Sequence, residues 1–159
     1  MTATPTGFPV STVDTANRQV LTAIVAGELP PPSCVDRFLL PTPSAWSYGF
    51  ITGTAEPTDA ETWEPGVVFG GYLACLVDQF AGLVMLTVLP DGARFLTYGL
   101  SLDLRTPVRP AGVVIEARIR SLAAREAIVD VELSQDGRVT SRAAVTQVIR
   151  PAAVERTER

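Results

Sequence analysis

Gly70-Gly71-Tyr72-Leu73-Ala74-Cys75-Leu76-Val77-Asp78-Gln79-Phe80-Ala81-Gly82 opens an apolar run that continues to Leu89. The run lacks strict alternation and is too long for one strand, so it reads as a helix over 70–89, ended by Pro90-Asp91-Gly92. A helix apolar nearly all round is expected to be surrounded by protein. Asp78 stands in its middle, where an apolar setting would be expected to disfavour the ionised carboxylate and make it a better base. The glycine pair at the start lets another group approach free backbone N–H groups, donors that with the helix dipole suit a developing oxyanion. Asp78 follows Gly71 by two helical turns, on one face and about 10 Å along the axis.

The segment Val67 to Leu89 is long enough to span a bilayer. Asp78 at its centre, Gln79 beside it, and acidic rather than basic flanks at Glu64 and Asp91 argue against a membrane span.

Downstream, the pattern changes to strands. Leu96, Tyr98, Leu100, Leu102 and Leu104 alternate with Thr97, Gly99, Ser101, Asp103 and Arg105. Pro110-Ala111-Gly112 marks a turn, and two further alternating segments, 113–120 and 129–134, lead to the hairpin signal Asp136-Gly137. The last strand spans Val139 to Ile149. Short connections predict antiparallel neighbours. Upstream, Trp46, Tyr48 and Phe50 recur at every second position, predicting one strand over 44–54. The acidic, Pro-containing stretch 56–65 reads as loop, as does 30–43 with its five prolines. Ser11 or Thr12 can cap a short helix to Ala26, with an apolar stripe of Val13, Val20, Leu21, Ile24 and Val25. The organisation expected is a disordered start (1–11), one domain (12–150) and a flexible tail (151–159). An open sheet leaves edges to be covered, so a homo-oligomer, dimer or tetramer, is expected.

Composition narrows the chemistry. The chain has 159 residues, 47 % hydrophobic and 19 % charged, which suits one globular domain. A net charge of −4 gives no reason to expect nucleic acid as partner. There is no His, and all 13 basic residues are Arg. This excludes His-assisted nucleophiles, His-ligated zinc, a Schiff-base lysine and the P-loop lysine. Cys34 and Cys75 read as unpaired thiols of a cytosolic protein, Cys75 as buried packing.

Gly-Gly, six residues, Asp, three residues, Gly at the start of a buried helix resembles the PaaI-like branch of the hotdog-fold thioesterases. The segment Phe95 to Arg109 with Pro107, the two strands up to Asp136-Gly137 and the last strand resemble it too, so the likeness covers about residues 44–150. The resemblance implies an α+β hotdog fold, an antiparallel five- to six-stranded sheet wrapped around a long buried helix. It implies hydrolysis of an acyl-CoA or acyl-carrier thioester with Asp78 as base or nucleophile. It further implies polarisation of the carbonyl by the N–H of Gly71 or Gly70, and a hydroxyl from a partner subunit's strand, matched by Thr97. No metal or prosthetic group is implied. The family's usual His before the glycine pair is Phe69 here, and its frequent Asn some six residues earlier is Trp63. These two aromatics can line a hydrophobic acyl tunnel. Tyr72 and Gln79 are further polar candidates, with packing the commoner role for both.

Arg105 and Arg109 flank Pro107 and can meet the phosphates of a pantetheine-nucleotide carrier. Solvated surface charge is the commoner role of such residues, and Asp103 and Arg105 can pair on one strand face. Two alternatives to a hydrolase stand beside it. One is a non-catalytic acyl-CoA-binding protein of the same fold, which Phe69 and Trp63 favour and Asp78 opposes. The other is a hydratase or dehydratase, disfavoured because those enzymes generally rely on a His.

Overall fold

The computed structural model describes residues 15–30 and 32–150. Helix α1 (Ala16–Val25) is capped by Thr15, whose Oγ1 accepts from the Arg18 N–H at 3.3 Å. The cap is thus not Ser11 or Thr12, which lie with Val13 outside the described residues, as do the expected disordered start and tail. The apolar stripe is narrower than its periodicity implied. Leu21 is buried, but Val20 is exposed and Arg18 takes a buried place. The Arg18 Nε donates to the Thr87 carbonyl at 3.0 Å and the guanidinium stacks on the Tyr48 ring, which fastens α1 to the end of the central helix.

Three stretches carry more structure than their composition suggested. The proline-rich loop 30–43 contains a short helix, α2 (Ser33–Arg37). Pro32 is tolerated at its start because a missing N–H there has no helical acceptor anyway. The single strand expected over 44–54 is a hairpin of β1 (Ala45–Ser47) and β2 (Phe50–Ala55), turned at Tyr48-Gly49. Gly49 has φ +72°, a conformation that costs glycine little, and its N–H donates to the Thr87 Oγ1 at 2.9 Å. The acidic loop 56–65 holds a 3₁₀ turn (Asp59–Glu61) closed by a capping box, in which the Thr58 N–H donates to the Glu61 Oε2 at 2.7 Å. That turn leads into a small ribbon of β3 (Thr62–Glu64) and β4 (Val67–Val68).

The apolar run forms helix α3 over Gly70–Met85, and residues 86–88 continue as a tighter turn with i→i−3 bonds of 3.1 Å. β5 (Arg94–Leu104), β6 (Val113–Leu122), β7 (Glu126–Gln135) and β8 (Arg138–Arg150) complete one antiparallel sheet in the order β1-β2-β6-β7-β8-β5. Asp136 and Gly137 take φ +53° and +73° in the tight turn between β7 and β8. The expectation of neighbouring consecutive strands fails once. β5 pairs with β8, and 105–112 crosses to β6, held by the buried Val108, whose carbonyl accepts from the Val68 N–H at 2.8 Å.

One face of α3, with Leu76, Val77, Phe80 and Val84, packs on the inner sheet face of Val113, Ile115, Ala117, Val129, Val131, Leu133 and Val145. Gly53 on β2 permits the closest approach, since a Cβ there would lie 2.7 Å from the Phe80 ring and 3.2 Å from the Pro43 Cα. The other face of α3 is not surrounded as expected. Asp78 is exposed, because a single curved sheet covers only one side of the helix. Among the described residues no helix is long and apolar enough to cross a membrane.

Candidate active site

Asp78 projects from the uncovered face of α3 toward β5, where the Thr97 hydroxyl donates to its Oδ1 at 2.7 Å. A β-bulge makes this contact possible. In the β5–β8 register Thr97 opposes Gln147 and Gly99 opposes Thr146, so Tyr98 is an extra residue. The side-chain alternation therefore slips. Leu100, Leu102 and Leu104 oppose the inward-facing Val145, Ala143 and Ser141, and Thr97 also faces α3. Without the bulge, Thr97 would lie on the sheet face opposite those three leucines. Leu96 and Tyr98, expected to be on the half-buried face with them, are instead 72 % and 82 % exposed along the sheet edge.

The family resemblance implies that the hydroxyl comes from a partner subunit. In the structure the Thr97 hydroxyl meets Asp78 within one chain. Two helical turns set the Gly71 and Asp78 backbones about 10 Å apart along the helix axis.

At the helix start Phe69 occupies the cap position with no side-chain cap, and its ring folds over Gly71. A Cβ at Gly71 would lie 2.3 Å from that ring, and one at Gly70 would lie 2.9 Å from the Leu104 side chain. The Tyr72 and Leu73 N–H groups bond the Phe69 carbonyl, while the Gly70 and Gly71 N–H groups precede the first helical acceptor. Phe69 stacks against Trp63 with ring centroids 6.0 Å apart. The pair forms a wall between two apolar grooves. One, of about 520 Å³, holds Gly70, Leu104 and Arg105; the other, of about 670 Å³, holds Gly71, Tyr72, Cys75, Phe38 and Leu39. Cys75 is thus half-buried at a groove wall rather than core packing.

The remaining candidates divide. The Tyr72 hydroxyl donates to the Leu39 carbonyl at 3.1 Å and Gln79 Nε2 to the Pro41 carbonyl at 2.9 Å, so both tie α3 to the chain ahead of β1. Burial, followed by the nearby Glu61 and Cys75, pushes the Tyr72 phenol up and keeps it a donor. Arg109 is ion-paired with Asp136 and lies in neither groove. Arg105 borders the first groove and sits 3.8 Å from Asp103, the pairing expected on one strand face. One residue was missed. Gln147 on β8 is fully buried, and its Nε2 donates to the Thr97 Oγ1 at 3.1 Å. Its trace in the sequence is a polar residue at an inward position between Val145 and Ile149.

With this geometry in place, the comparisons decide the family. A family model described as the thioesterase superfamily matches residues 65–142, the segment from the turn between β3 and β4 through α3 and β7 into β8. The chain belongs to the hotdog thioesterase superfamily. A thioesterase candidate and phenylacetic acid degradation-related protein of Ralstonia eutropha superposes with a TM-score of 0.73 at 26 % identity, covering 80 % of this chain and 98 % of its own. A hypothetical thioesterase of Streptococcus pneumoniae, solved with coenzyme A, gives 0.64 at 21 % identity over 70 % of this chain and 87 % of its own. A Haemophilus influenzae thioesterase gives 0.66 at 16 % identity over 72 % and 81 %. The last two show the shared fold. None of the curated proteins matches the chain.

Proposed function

We propose that this hotdog protein hydrolyses an acyl-CoA or acyl-carrier thioester, as a PaaI-like thioesterase with Asp78 as its catalytic carboxylate. The observation that carries the reading is the Thr97 hydroxyl at 2.7 Å from Asp78 on an exposed helix face. No His or Lys is available to activate water, so a carboxylate must supply the base. Asp78 takes a proton from water, the water oxygen attacks the thioester carbon, and the carbonyl oxygen receives the displaced electron pair. Collapse of that intermediate breaks the C–S bond and the thiolate leaves with the proton. Direct attack by the carboxylate, giving an acyl anhydride that water then hydrolyses, uses the same atoms.

The proposal has a second element: each site is built from two copies of the chain. Asp78 and Thr97 of one copy meet the Gly71 N–H of the other, which holds the oxyanion. The β5 edge, with Leu96 and Tyr98 outward, is the surface through which a homodimer would form, alone or within a tetramer. Phe69, Trp63, Gly70 and Tyr72 would line the acyl pocket, and Arg105 would meet the phosphates of the carrier. The Streptococcus neighbour, solved with coenzyme A, supports a CoA thioester as substrate.

The Phe69 ring over Gly71 favours a second reading, an acyl-CoA-binding protein without turnover, because it crowds the donor that hydrolysis needs. A panel of acyl-CoA esters assayed by thiol release, with binding measured by calorimetry, separates the two. Turnover of at least one ester supports the hydrolase; tight binding with no turnover across the panel supports the binding protein.

A further inference from the structure

We propose that Gln147 is a positioning residue that fixes the Thr97 hydroxyl on Asp78; this rests on the reading of Asp78 as the catalytic carboxylate. Gln147 lies on the inner face of β8 in series with Ala143, Val145 and Ile149, all buried and apolar. An amide in such a row costs free energy unless it is hydrogen-bonded, and an aliphatic residue would fill the space without that cost. Both polar atoms of the amide turn to Thr97, with Nε2 at 3.1 Å and Oε1 at 3.3 Å from Oγ1. The amide edge is thus applied to one hydroxyl, and that hydroxyl is the one touching Asp78.

A threonine hydroxyl has one proton and two lone pairs. Two acceptors compete for the proton: the Asp78 Oδ1 at 2.7 Å and the Gln147 Oε1 at 3.3 Å. The carboxylate is nearer and charged, so it takes the proton. Gln147 Nε2 then donates to the oxygen and selects the one rotamer that satisfies both bonds. Oδ1 is thereby engaged, and Oδ2 is left to act on water. When Asp78 receives a proton from water, its pull on the hydroxyl weakens, and the Gln147 Oε1 is the acceptor already in place. The same amide therefore satisfies Thr97 in both states of the carboxylate.

The test is Gln147→Met, an apolar residue of similar length, together with Gln147→Asn, which stays polar but is too short to reach Oγ1. Steady-state kinetics are measured in wild-type and Thr97→Val backgrounds. Thr97 χ1 is read from three-bond methyl couplings by NMR. For both Gln147 variants the expected result is a fall in kcat of about 10-fold with KM within about 2-fold, the pattern of a contact that matters for the chemical step. In the Thr97→Val background the same substitutions are expected to add nothing. Thr97, held in one rotamer in the wild type, is expected to average among rotamers in both variants. Unchanged kcat, an equal loss in both backgrounds, or a fixed Thr97 rotamer in the variants would each overturn the proposal. The couplings need no turnover. A chain inactive on every acyl-CoA would sink the hydrolase reading, while the rotamer measurement would still decide whether Gln147 positions Thr97.

Discussion

Replacing Thr97 by Val removes a hydroxyl and keeps the branched shape. The lost interaction is the 2.7 Å bond to Asp78 Oδ1. A hydrogen bond to a charged group contributes roughly 1.5–3 kcal/mol, and 1.36 kcal/mol is one decade of rate. If the bond is felt mainly in the chemical step, Thr97→Val should lower kcat by about 10- to 100-fold, short of the loss expected for the carboxylate itself. The substitution leaves the Gln147 amide buried without its partner, so a modest fall in melting temperature accompanies it. Thr97→Ser retains the hydroxyl and should recover most of the turnover. The assay is thiol release from a hydrolysed acyl-CoA, with thermal unfolding of each variant in parallel. Wild-type kcat in a folded Thr97→Val protein would refute the reasoning and reduce Thr97 to strand packing.

Three further outcomes follow from other parts of the fold. Gly53→Ala drives a Cβ into the Phe80 ring and the Pro43 backbone and should cost about 1–3 kcal/mol, read as a drop of roughly 3–10 °C in melting temperature; an unchanged Tm would show that Phe80 yields freely. Tyr98→Asp puts a charge on the β5 edge and should convert a dimer seen by light scattering at micromolar concentration to monomer, with activity lost in parallel; active monomers would contradict the two-copy site. The Thr58 backbone N–H, then its hydroxyl, hold the Glu61 carboxyl below the usual glutamate value. That stabilisation is fully present above about pH 4.3 and is lost as pH falls through the lower folded value. The Tm difference between wild type and Glu61→Gln should therefore be present at pH 7 and close in acid; a gap that widens in acid would reverse the sign.

The sequence made the helix, the glycine pair and Asp78 legible because an apolar run interrupted by one carboxylate has few readings. Alternation located β6, β7 and β8, and Asp136-Gly137 located their hairpin. The same alternation misled on β5, since a bulge at Tyr98 reverses which side chains face the helix and leaves no compositional mark. Periodicity also ran Trp46, Tyr48 and Phe50 together across a turn that only the φ of Gly49 reveals. The sequence predicts an α3 enclosed on all sides, because apolar residues do not say whether their cover comes from the same chain. Only the structure shows Asp78 exposed on the uncovered face and bonded to Thr97. Gln147 could be seen only from the pairing of β8 with β5, a contact between residues 50 positions apart.

Asp78→Asn tests the central claim most directly, because it preserves shape and removes the charge from the only acid on α3. Steady-state hydrolysis and thermal unfolding are measured on wild type and variant with an acyl-CoA that the wild type turns over. The account predicts a fall in turnover of about 100-fold or more, the scale of a lost general base, with acyl-CoA affinity and Tm little changed. Full turnover by the Asn variant would contradict it.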